Sequence, residues 1–298
     1  MMELKTYLSE KRADVDRLLQ SYLPGPKSDP PLIHEAIHYS LFAGGKRIRP
    51  ILCLAACEAV GGSLDKILPF ASAIELIHTY SLVHDDLPAM DDDSHRRGKL
   101  TNHKMFGEST AILTGDALLT AAFAMMAEKG LSSSIAPKKI LRAMLELGSA
   151  SGSTGMVGGQ LVDIESQGKD GLTFEKLKAM HTYKTGVLIR GSIRIGGILG
   201  GAGPKKLSHL TWFGEKAGLA FQIADDILDV EGEERDLGKP VGQDKTKGKW
   251  TYPALIGISQ AKKEAANLVE EALNALKVFG PEADPLRQIV IYMIDRKQ

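Results

Sequence analysis

Residues 217–230 read AGLAFQIADDILDV, a stretch in which apolar residues surround a helix on nearly every side. Residues 70–84, FASAIELIHTYSLVH, have the same character. A helix without a polar face has to be covered by other helices, so both stretches are expected to be central. Elsewhere apolar residues recur at steps of three and four, and Gly- or Pro-rich breaks separate the segments. The sequence therefore predicts an all-α fold, a single large helical bundle of roughly ten or more helices in which residues 1–298 form one domain.

The composition limits the class of protein. The chain has 298 residues, and Lys plus Arg equal Asp plus Glu at 37 each, so no bulk charge attracts nucleic acid or an anionic membrane. The N-terminus lacks an apolar signal segment, and the longest apolar run, Ala117–Ala127, is short of the ~20 residues that cross a bilayer. Cys53 and Cys57 share a helix face and are expected to fill core space, which favours a reducing compartment. We expect a cytoplasmic protein without a nucleic-acid partner or stable membrane association.

A motif of two adjacent aspartates followed by a third occurs twice, 140 residues apart. Carboxylates in an otherwise apolar helix repel one another and lose hydration, which is unfavourable unless cations neutralise them. Their oxygens suit Mg²⁺, which keeps water and phosphate oxygens in its shell. A solvated acidic stripe is the alternative, and apolar flanks argue against it. The first copy is Asp85, Asp86 and Asp91, which Pro88 places at the last helical turn and its exit; the second is Asp225, Asp226 and Asp229.

Cationic clusters accompany the acidic motifs. Residues 44–50 read GGKRIRP, and Arg96-Arg97 follows the first aspartate motif directly. Arginine beside glycine suits phosphate oxygens, because the guanidinium binds through two nitrogens and glycine allows close approach of the backbone. Isolated basic pairs are most often solvated surface, and GGKRIRP lacks the spacing of a P-loop. Beside two predicted Mg²⁺ motifs, however, these clusters predict a site for a diphosphate.

Eight segments, in order along the chain, resemble the trans-prenyl diphosphate synthases, and within them the bacterial farnesyl diphosphate synthases. They are GGKRIRP, HTYSLVHDDLPAMDDDSHRRG, GDALL, GGQLVDI, YKTG, FQIADDILDV, LGKPVGQD and TYPAL. The resemblance covers nearly the whole chain and implies a helical bundle of the isoprenoid synthase type around a central cavity. It also implies a homodimer that uses Mg²⁺, three ions in the closed complex, to condense dimethylallyl or geranyl diphosphate with isopentenyl diphosphate. The implied product is (2E,6E)-farnesyl diphosphate.

The resemblance also implies roles for single residues. The Mg²⁺ ions on the allylic diphosphate would be coordinated by Asp85, Asp86, Asp91 and Asp225, with Asp226 and Asp229 supporting that shell. The allylic diphosphate itself would be held by Arg96, Lys184, Lys239 and Lys249. The diphosphate of isopentenyl diphosphate would be held by Lys46, Arg49, His78 and Arg97. The reacting carbons would be lined by Gln160, Thr185 and Gln222.

The implied reaction begins with loss of diphosphate from the allylic substrate, stabilised by Mg²⁺ and cationic side chains. Isopentenyl C4 attacks the allylic C1, and the released diphosphate removes the proton, so no protein base is needed. The charged, Gly-rich residues 231–249 and the C-terminal Arg296-Lys297 are expected to close over the site and exclude water. The additional Lys245 and Lys247 leave open which lysine of this loop contacts substrate.

Product length is expected to depend on the helical turn below the first motif, since one turn descends ~5.4 Å, close to one isoprene unit. Tyr80 and Ser81 lie five and four residues before Asp85. The Tyr80 ring would form the floor of the pocket, while Ser81 leaves room. This aromatic residue and the Pro88-Ala89 pair resemble the farnesyl enzymes; plain core packing is the alternative role of Tyr80.

Other functions stay open at this point. Geranyl or geranylgeranyl diphosphate is the alternative product. A terpene cyclase shares the first motif, although its second is usually based on Asn, Ser and Glu, and a non-catalytic prenyl synthase subunit tends to lose the aspartates that this chain keeps. Two Glu-x-x-His steps, Glu35…His38 and Glu75…His78, would suit a di-iron site, which leaves the duplicated aspartates unexplained.

Overall fold

The fold is helical apart from one short pair of strands over the residues that the computed structural model describes, 3–166, 173–231 and 250–294. The predicted all-α fold is confirmed. These residues fall into two compact units. The first comprises the residues up to Ile51 together with Leu64–Ile140, and the second comprises Leu52–Ser63 together with the described residues from Leu141 onward.

Besides the first turn of Pro137–Ser151, the first unit contains six helices, in whole or in part, and the strand pair. The helices are Leu4–Tyr22 (α1), Pro31–Leu41 (α2), the first turn of Ile48–Glu58 (α3), Leu64–Asp85 (α4), Asn102–Phe106 (α5) and Glu108–Leu131 (α6). Strands His95–Arg96 (β1) and Lys99–Leu100 (β2) pair antiparallel, with His95 opposite Leu100. This tight hairpin follows the first aspartate motif directly, so it places the Arg96-Arg97 pair close to the end of α4.

Helix α4 forms the core of the first unit. Its apolar side chains are buried around the whole circumference, from Phe70 through Ile74 to Val83, and it packs against α1, α2 and α6. This burial explains why the sequence of α4 has no polar face. The helix ends at Asp85, three residues before Pro88, so the first aspartate motif spans the last turn and its exit, as predicted.

Helix α6 is the one described helix that is long and apolar enough to cross a membrane by length and composition. Of its most apolar window, 39% is buried. Core helices of globular proteins meet the same criteria, and α6 packs lengthwise along α4. The apolar character of α6 therefore carries little weight as a sign of membrane insertion.

The second unit is built on a long helix that carries the second aspartate motif. Its helices are the remainder of α3, most of Pro137–Ser151 (α7), Met156–Ser166 (α8), Phe174–His181 (α9), Val187–Gly200 (α10), Pro204–Glu231 (α11), Tyr252–Ile256 (α12), Ile258–Ala275 (α13) and Asp284–Ile294 (α14). One π-helical turn, Thr182–Gly186, joins α9 to α10, and two 3₁₀ turns, Leu276–Val278 and Pro281–Ala283, lie before α14. Helix α11 packs against α10, α13 and α14.

Glycines let helices of the second unit approach closely at the two cysteines. A Cβ on Gly196 would overlap the carbonyl oxygen of Cys53, and one on Gly200 would press on Cys57. Both thiols are free and completely buried. The predicted core role of Cys53 and Cys57 is confirmed, and the reason is that the small thiol fits where two backbones nearly touch.

Candidate active site

The first aspartate motif occupies the end of α4 and the turn that follows. The Asp91 N–H donates to the Asp85 carbonyl at 2.9 Å, so the chain folds back and brings the third aspartate close to the first. Asp85 and Asp91 are half-buried, whereas Asp86 is only 3% exposed. The turn therefore leaves two of the three carboxylates partly accessible to solvent and encloses the other.

Asp86 forms a bidentate ion pair with Arg96 of β1. Arg96 Nε donates to the two carboxylate oxygens at 2.8 and 3.0 Å, and Nη2 donates to Oδ1 at 2.5 Å. Burial raises the pKa of Asp86 to about 6, although the hydrogen bonds and charge of Arg96 act in the opposite direction. Asp86, a predicted metal ligand, is thus paired with Arg96, which is predicted to bind diphosphate. In its predicted role, Arg96 would have to bind a diphosphate with the guanidinium N–H groups that Asp86 does not engage, or release Asp86.

Arg97 extends to the GGKRIRP segment. The hairpin holds Arg97 in the left-handed region with φ 54°, and its Nη1 donates to the carbonyl of Gly44. A Cβ on Gly45 would overlap the guanidinium, and Gly45 itself has φ 121°. Only glycine combines this backbone conformation with the space that Arg97 needs. Of the two glycines before Lys46, Gly44 thus binds Arg97 through its carbonyl and Gly45 leaves space for the guanidinium.

Cationic side chains converge on His78 of α4. Arg49 Nη1 lies 3.3 Å from His78 Nε2. The pKa of His78 is lowered well below its usual value by burial first, and then by the charges of Arg49, Arg97, Arg96 and Arg47. The imidazole is consequently neutral at pH 7 and can donate or accept a hydrogen bond without adding charge. Three of the four residues predicted to hold the isopentenyl diphosphate, Arg49, His78 and Arg97, thus lie together, and exposed Lys46 belongs to the same segment as Arg49.

The second aspartate motif lies in α11, where its members differ in environment. Asp225 is half-buried, whereas Asp226 and Asp229 are each 3% exposed. Asp226 Oδ1 accepts from Gln222 Nε2 at 2.9 Å, and Oδ2 accepts from the Tyr252 N–H at 2.9 Å. Both oxygens of Asp226 are therefore bound by protein donors, and Asp225 is the most accessible of the three carboxylates.

Of the other predicted site residues, Gln160 and Gln222 lie fully within the described structure. Gln160 is half-buried in α8, and Gln222 donates to Asp226. The backbone of Lys184 and Thr185 belongs to the π-helical turn Thr182–Gly186, but their side chains lie outside the described part of the structure. Also outside it lie the predicted closing segments and the substrate-binding lysines within them, namely Lys239, Lys249, the rest of the 231–249 loop beyond Glu231, and Arg296-Lys297.

Tyr80 and Ser81 occupy the turn of α4 below the first motif. Tyr80 is 6% exposed, and its ring meets that of His84 edge-on with centroids 5.8 Å apart. Ser81 Oγ donates to the His78 carbonyl at 2.8 Å, so this hydroxyl turns back on its own helix. The pair therefore combines a large enclosed ring with a small residue that projects little.

The structure adds Arg47 and Glu75, to which the sequence resemblance assigns no role. Arg47 Nη1 donates to Glu75 Oε1 at 2.9 Å, and both side chains are almost completely buried. The sequence signal was the single carboxylate of Glu75 in the apolar stretch 70–77, which requires a partner. The di-iron alternative loses support because this carboxylate is paired with an arginine. Among the described residues, moreover, no three His, Cys, Asp or Glu side chains converge as a metal cage.

Comparison with known proteins identifies the family. Residues 30–283 match the family model of polyprenyl synthetase. The chain is 44% identical over 293 residues to a geranylgeranyl diphosphate synthase from Cyanophora paradoxa, covering 98% of this chain and 96% of that protein. It is 46% identical over 283 residues to a farnesyl diphosphate synthase from Micrococcus luteus, covering 95% and 94%. An FPP/GFPP synthase from Zymomonas mobilis has the same fold, with a TM-score of 0.86, 37% identity and 98% coverage of both chains.

Proposed function

This chain belongs to the polyprenyl synthetase family and is a prenyltransferase, and we propose that it condenses dimethylallyl and geranyl diphosphate with isopentenyl diphosphate to give farnesyl diphosphate. One observation carries the proposal. Arg49 and Arg97 converge on a neutral His78 in the same unit that carries Asp85 and Asp91. Such a cluster binds a diphosphate, because fixed guanidinium groups match its oxygens and a neutral imidazole adds a hydrogen bond.

The carboxylates fit Mg²⁺ by their chemistry and their accessibility. Asp85 and Asp91 offer hard oxygen donors at a turn that brings them close, and Asp225 is the accessible carboxylate of the second motif. Mg²⁺ prefers few protein ligands, with water and phosphate oxygens completing its shell, and carboxylates of this kind suit that arrangement. When bound, Mg²⁺ would neutralise the charge that develops on the departing diphosphate.

The protein side chains bind and orient the two substrates. Arg49, Arg97 and Lys46 hold the diphosphate of isopentenyl diphosphate, and His78 supplies a hydrogen bond without a charge. Arg96, once shared with substrate, stabilises the allylic diphosphate as its C1–O bond breaks. The isopentenyl double bond attacks C1 through C4, and the proton lost from C2 leaves with the inorganic diphosphate. Bonds and charges balance without a base from the protein.

The farnesyl product depends on where the pocket for the growing chain ends. The enclosed Tyr80 ring, with the small Ser81 beside it in α4, supports a pocket that ends at about three isoprene units. Geranylgeranyl diphosphate is the second candidate, because relatives of nearly equal identity bear both names. Core packing of Tyr80 against His84 would permit that longer product.

The native enzyme is proposed to be a cytoplasmic homodimer in which residues 1–298 act as one domain. The support for a dimer is apolar exposure: Ile112 and Leu113 of α6 are 45% and 58% exposed, and Leu141 and Leu145 of α7 are 65% and 70% exposed. Exposed apolar groups spaced along helices are typical of surfaces that a second copy covers. Light scattering of purified protein at about 64 kDa would support a dimer, and about 32 kDa would reject it.

Product analysis tests the function. Purified protein is incubated with Mg²⁺, dimethylallyl diphosphate and excess isopentenyl diphosphate, and the released chain length is determined. Asp85→Asn should lower turnover by about 10²-fold or more, whereas Asp65→Asn, an exposed residue at the start of the same helix, should leave it unchanged. A C15 product confirms the proposal, and C10 or C20 retains prenyl transfer but refutes the product. No product with any allylic substrate would favour a cyclase or a non-catalytic subunit.

A further inference from the structure

Arg47 differs from its cationic neighbours in the GGKRIRP segment. Lys46 is exposed and Arg49 is half-buried, but Arg47 is only 3% exposed. Its backbone has φ 51°, a left-handed conformation that is unfavourable for a residue with a side chain. The Arg47 side chain thus lies inside the protein, whereas those of Lys46 and Arg49 stay accessible. A buried cation held in a strained backbone calls for a compensating set of contacts.

Those contacts join three helices of the first unit. Arg47 Nε donates to Asp16 of α1 at 2.8 Å, and Nη1 donates to Glu75 of α4 at 2.9 Å. Nη2 donates to the carbonyl of Leu41, the last residue of α2, at 2.6 Å, and Nη1 also reaches the Gly44 carbonyl at 3.3 Å. A lysine has one nitrogen and cannot serve these directions together.

The Arg47 backbone also begins the next helix. Its carbonyl accepts from the Ile51 N–H at 3.1 Å, which starts α3 immediately before Arg49. On the other side of Arg47, the Gly44 carbonyl accepts from Arg97, and Gly45 provides the space for its guanidinium. Lys46 and Arg49 therefore belong to the segment that Arg47 anchors, and Arg97 contacts that segment at Gly44.

We propose that Arg47 is a positioning residue, whose buried ion pairs with Glu75 and Asp16 hold the Gly44–Arg49 segment so that the surrounding cations meet the diphosphate of isopentenyl diphosphate. The inference rests on the proposed function, because it takes that diphosphate as the ligand of Arg49 and Arg97. Arg47 itself does not touch substrate. Its charge is balanced by two carboxylates, so it adds little to the attraction of an anion and acts through geometry.

Steady-state kinetics with separate Michaelis constants test this role. Arg47→Lys keeps the charge but loses the forked geometry, so the Michaelis constant for isopentenyl diphosphate should rise about ten-fold or more, and that for geranyl diphosphate less than about two-fold. The control Arg194→Lys makes the same exchange in the second unit, where Arg194 binds Glu146 at 2.7 Å and Thr211 at 2.5 Å. It should leave both constants within about two-fold.

A second variant covers the case in which Arg47→Lys unfolds. Arg47→Met combined with Glu75→Gln removes both buried charges and leaves no carboxylate of that pair uncompensated. It should show the same selective rise in the Michaelis constant for isopentenyl diphosphate. A cooperative thermal unfolding transition of this variant shows that it is folded. Equal changes for both substrates, unchanged constants, or failure of both variants to fold would overturn the positioning role.

Lys46→Ala and Arg49→Ala separate this inference from the proposed function. If these two variants leave the Michaelis constant for isopentenyl diphosphate unchanged, the assignment of that substrate to this cluster fails. If they raise it and Arg47→Lys does not, the substrate site stands and only the positioning role of Arg47 is rejected.

Discussion

His84 occupies the space beside Gly115 that any larger residue would need. Its Nε2 lies 2.9 Å from the Ile112 carbonyl of α6, and a Cβ on Gly115 would overlap the imidazole ring. Because His84 immediately precedes Asp85, this contact fixes the end of α4 against α6. The GDALL segment, which begins at Gly115, therefore contributes to the first aspartate motif through packing.

Gly115→Ala should displace the His84 ring and with it the end of α4. Turnover should fall about ten-fold, whereas the free energy of unfolding should change by less than about 2 kcal/mol, since alanine gains about 1 kcal/mol of helix propensity. Combining Gly115→Ala with His84→Ala tests the cause. In that background the glycine replacement should have no further effect on turnover. Gly203→Ala, which meets open space, is the control, and an undiminished effect without His84 would reject the contact as the cause.

Asp226 should act as a structural carboxylate. Asp226→Ala breaks the bonds from Gln222 and the Tyr252 N–H, so urea denaturation should show a loss of about 1–3 kcal/mol. Asp226→Asn can still accept from Tyr252 while Gln222 turns its amide, and it should lose less than about 1 kcal/mol. The more accessible Asp225→Ala serves as comparison, and a loss equal to that of Asp226→Ala would contradict the distinction.

His78 should make the stability depend on pH below neutrality. Its pKa is lowered by burial and by surrounding arginines. Below neutrality the unfolded chain therefore binds a proton at His78 that the folded protein does not bind. The stability is present above the unfolded pKa near 6.5 and decreases as the pH falls below it, by up to about 1.4 kcal/mol per pH unit. Urea unfolding at pH 7 and pH 5 should show a smaller decrease for His78→Gln than for the native chain. Equal slopes would mean that another group is responsible.

Tyr80→Ala should lengthen the product from C15 towards C20, because it removes the ring that is proposed to close the pocket. Ser81→Phe should shorten the product towards C10, since it adds an aromatic ring one residue nearer the motif. Chromatography of the dephosphorylated products measures both changes. If both variants give the native product at native turnover, α4 does not set the length and the Tyr80 ring is core packing.

The three- and four-residue spacing of apolar residues was sufficient to predict the helices, and the clustering of charged residues was sufficient to predict the two aspartate motifs. The apolar stretch 70–84 and the position of Pro88 correctly predicted a buried α4 that ends at the motif. Arg96-Arg97 was likewise expected near the first motif, because only four residues separate it from Asp91 along the chain, but the hairpin that carries the pair was not predicted. These features are local, so spacing along the chain determines them.

The burial of individual charged residues was not predictable in this way. GGKRIRP presents three similar cations, yet Arg47 alone is buried, because its partners Asp16 and Glu75 come from distant parts of the sequence. The enclosure of Asp86 by Arg96 and the binding of Asp226 by Tyr252 also depend on tertiary contacts. Neither periodicity nor composition contains that information.

The two buried cysteines beside Gly196 and Gly200 can serve as chemical probes of unfolding. Burial raises the pKa of Cys57 to about 11 and that of Cys53 well above its usual value, so neither thiol is ionised at neutral pH in the folded protein. An alkylating reagent needs a thiolate that it can reach. Covalent labelling of these two sulfurs would therefore proceed only as fast as the second unit opens. The labelled fraction, followed over time by mass spectrometry, would give the rate of that opening.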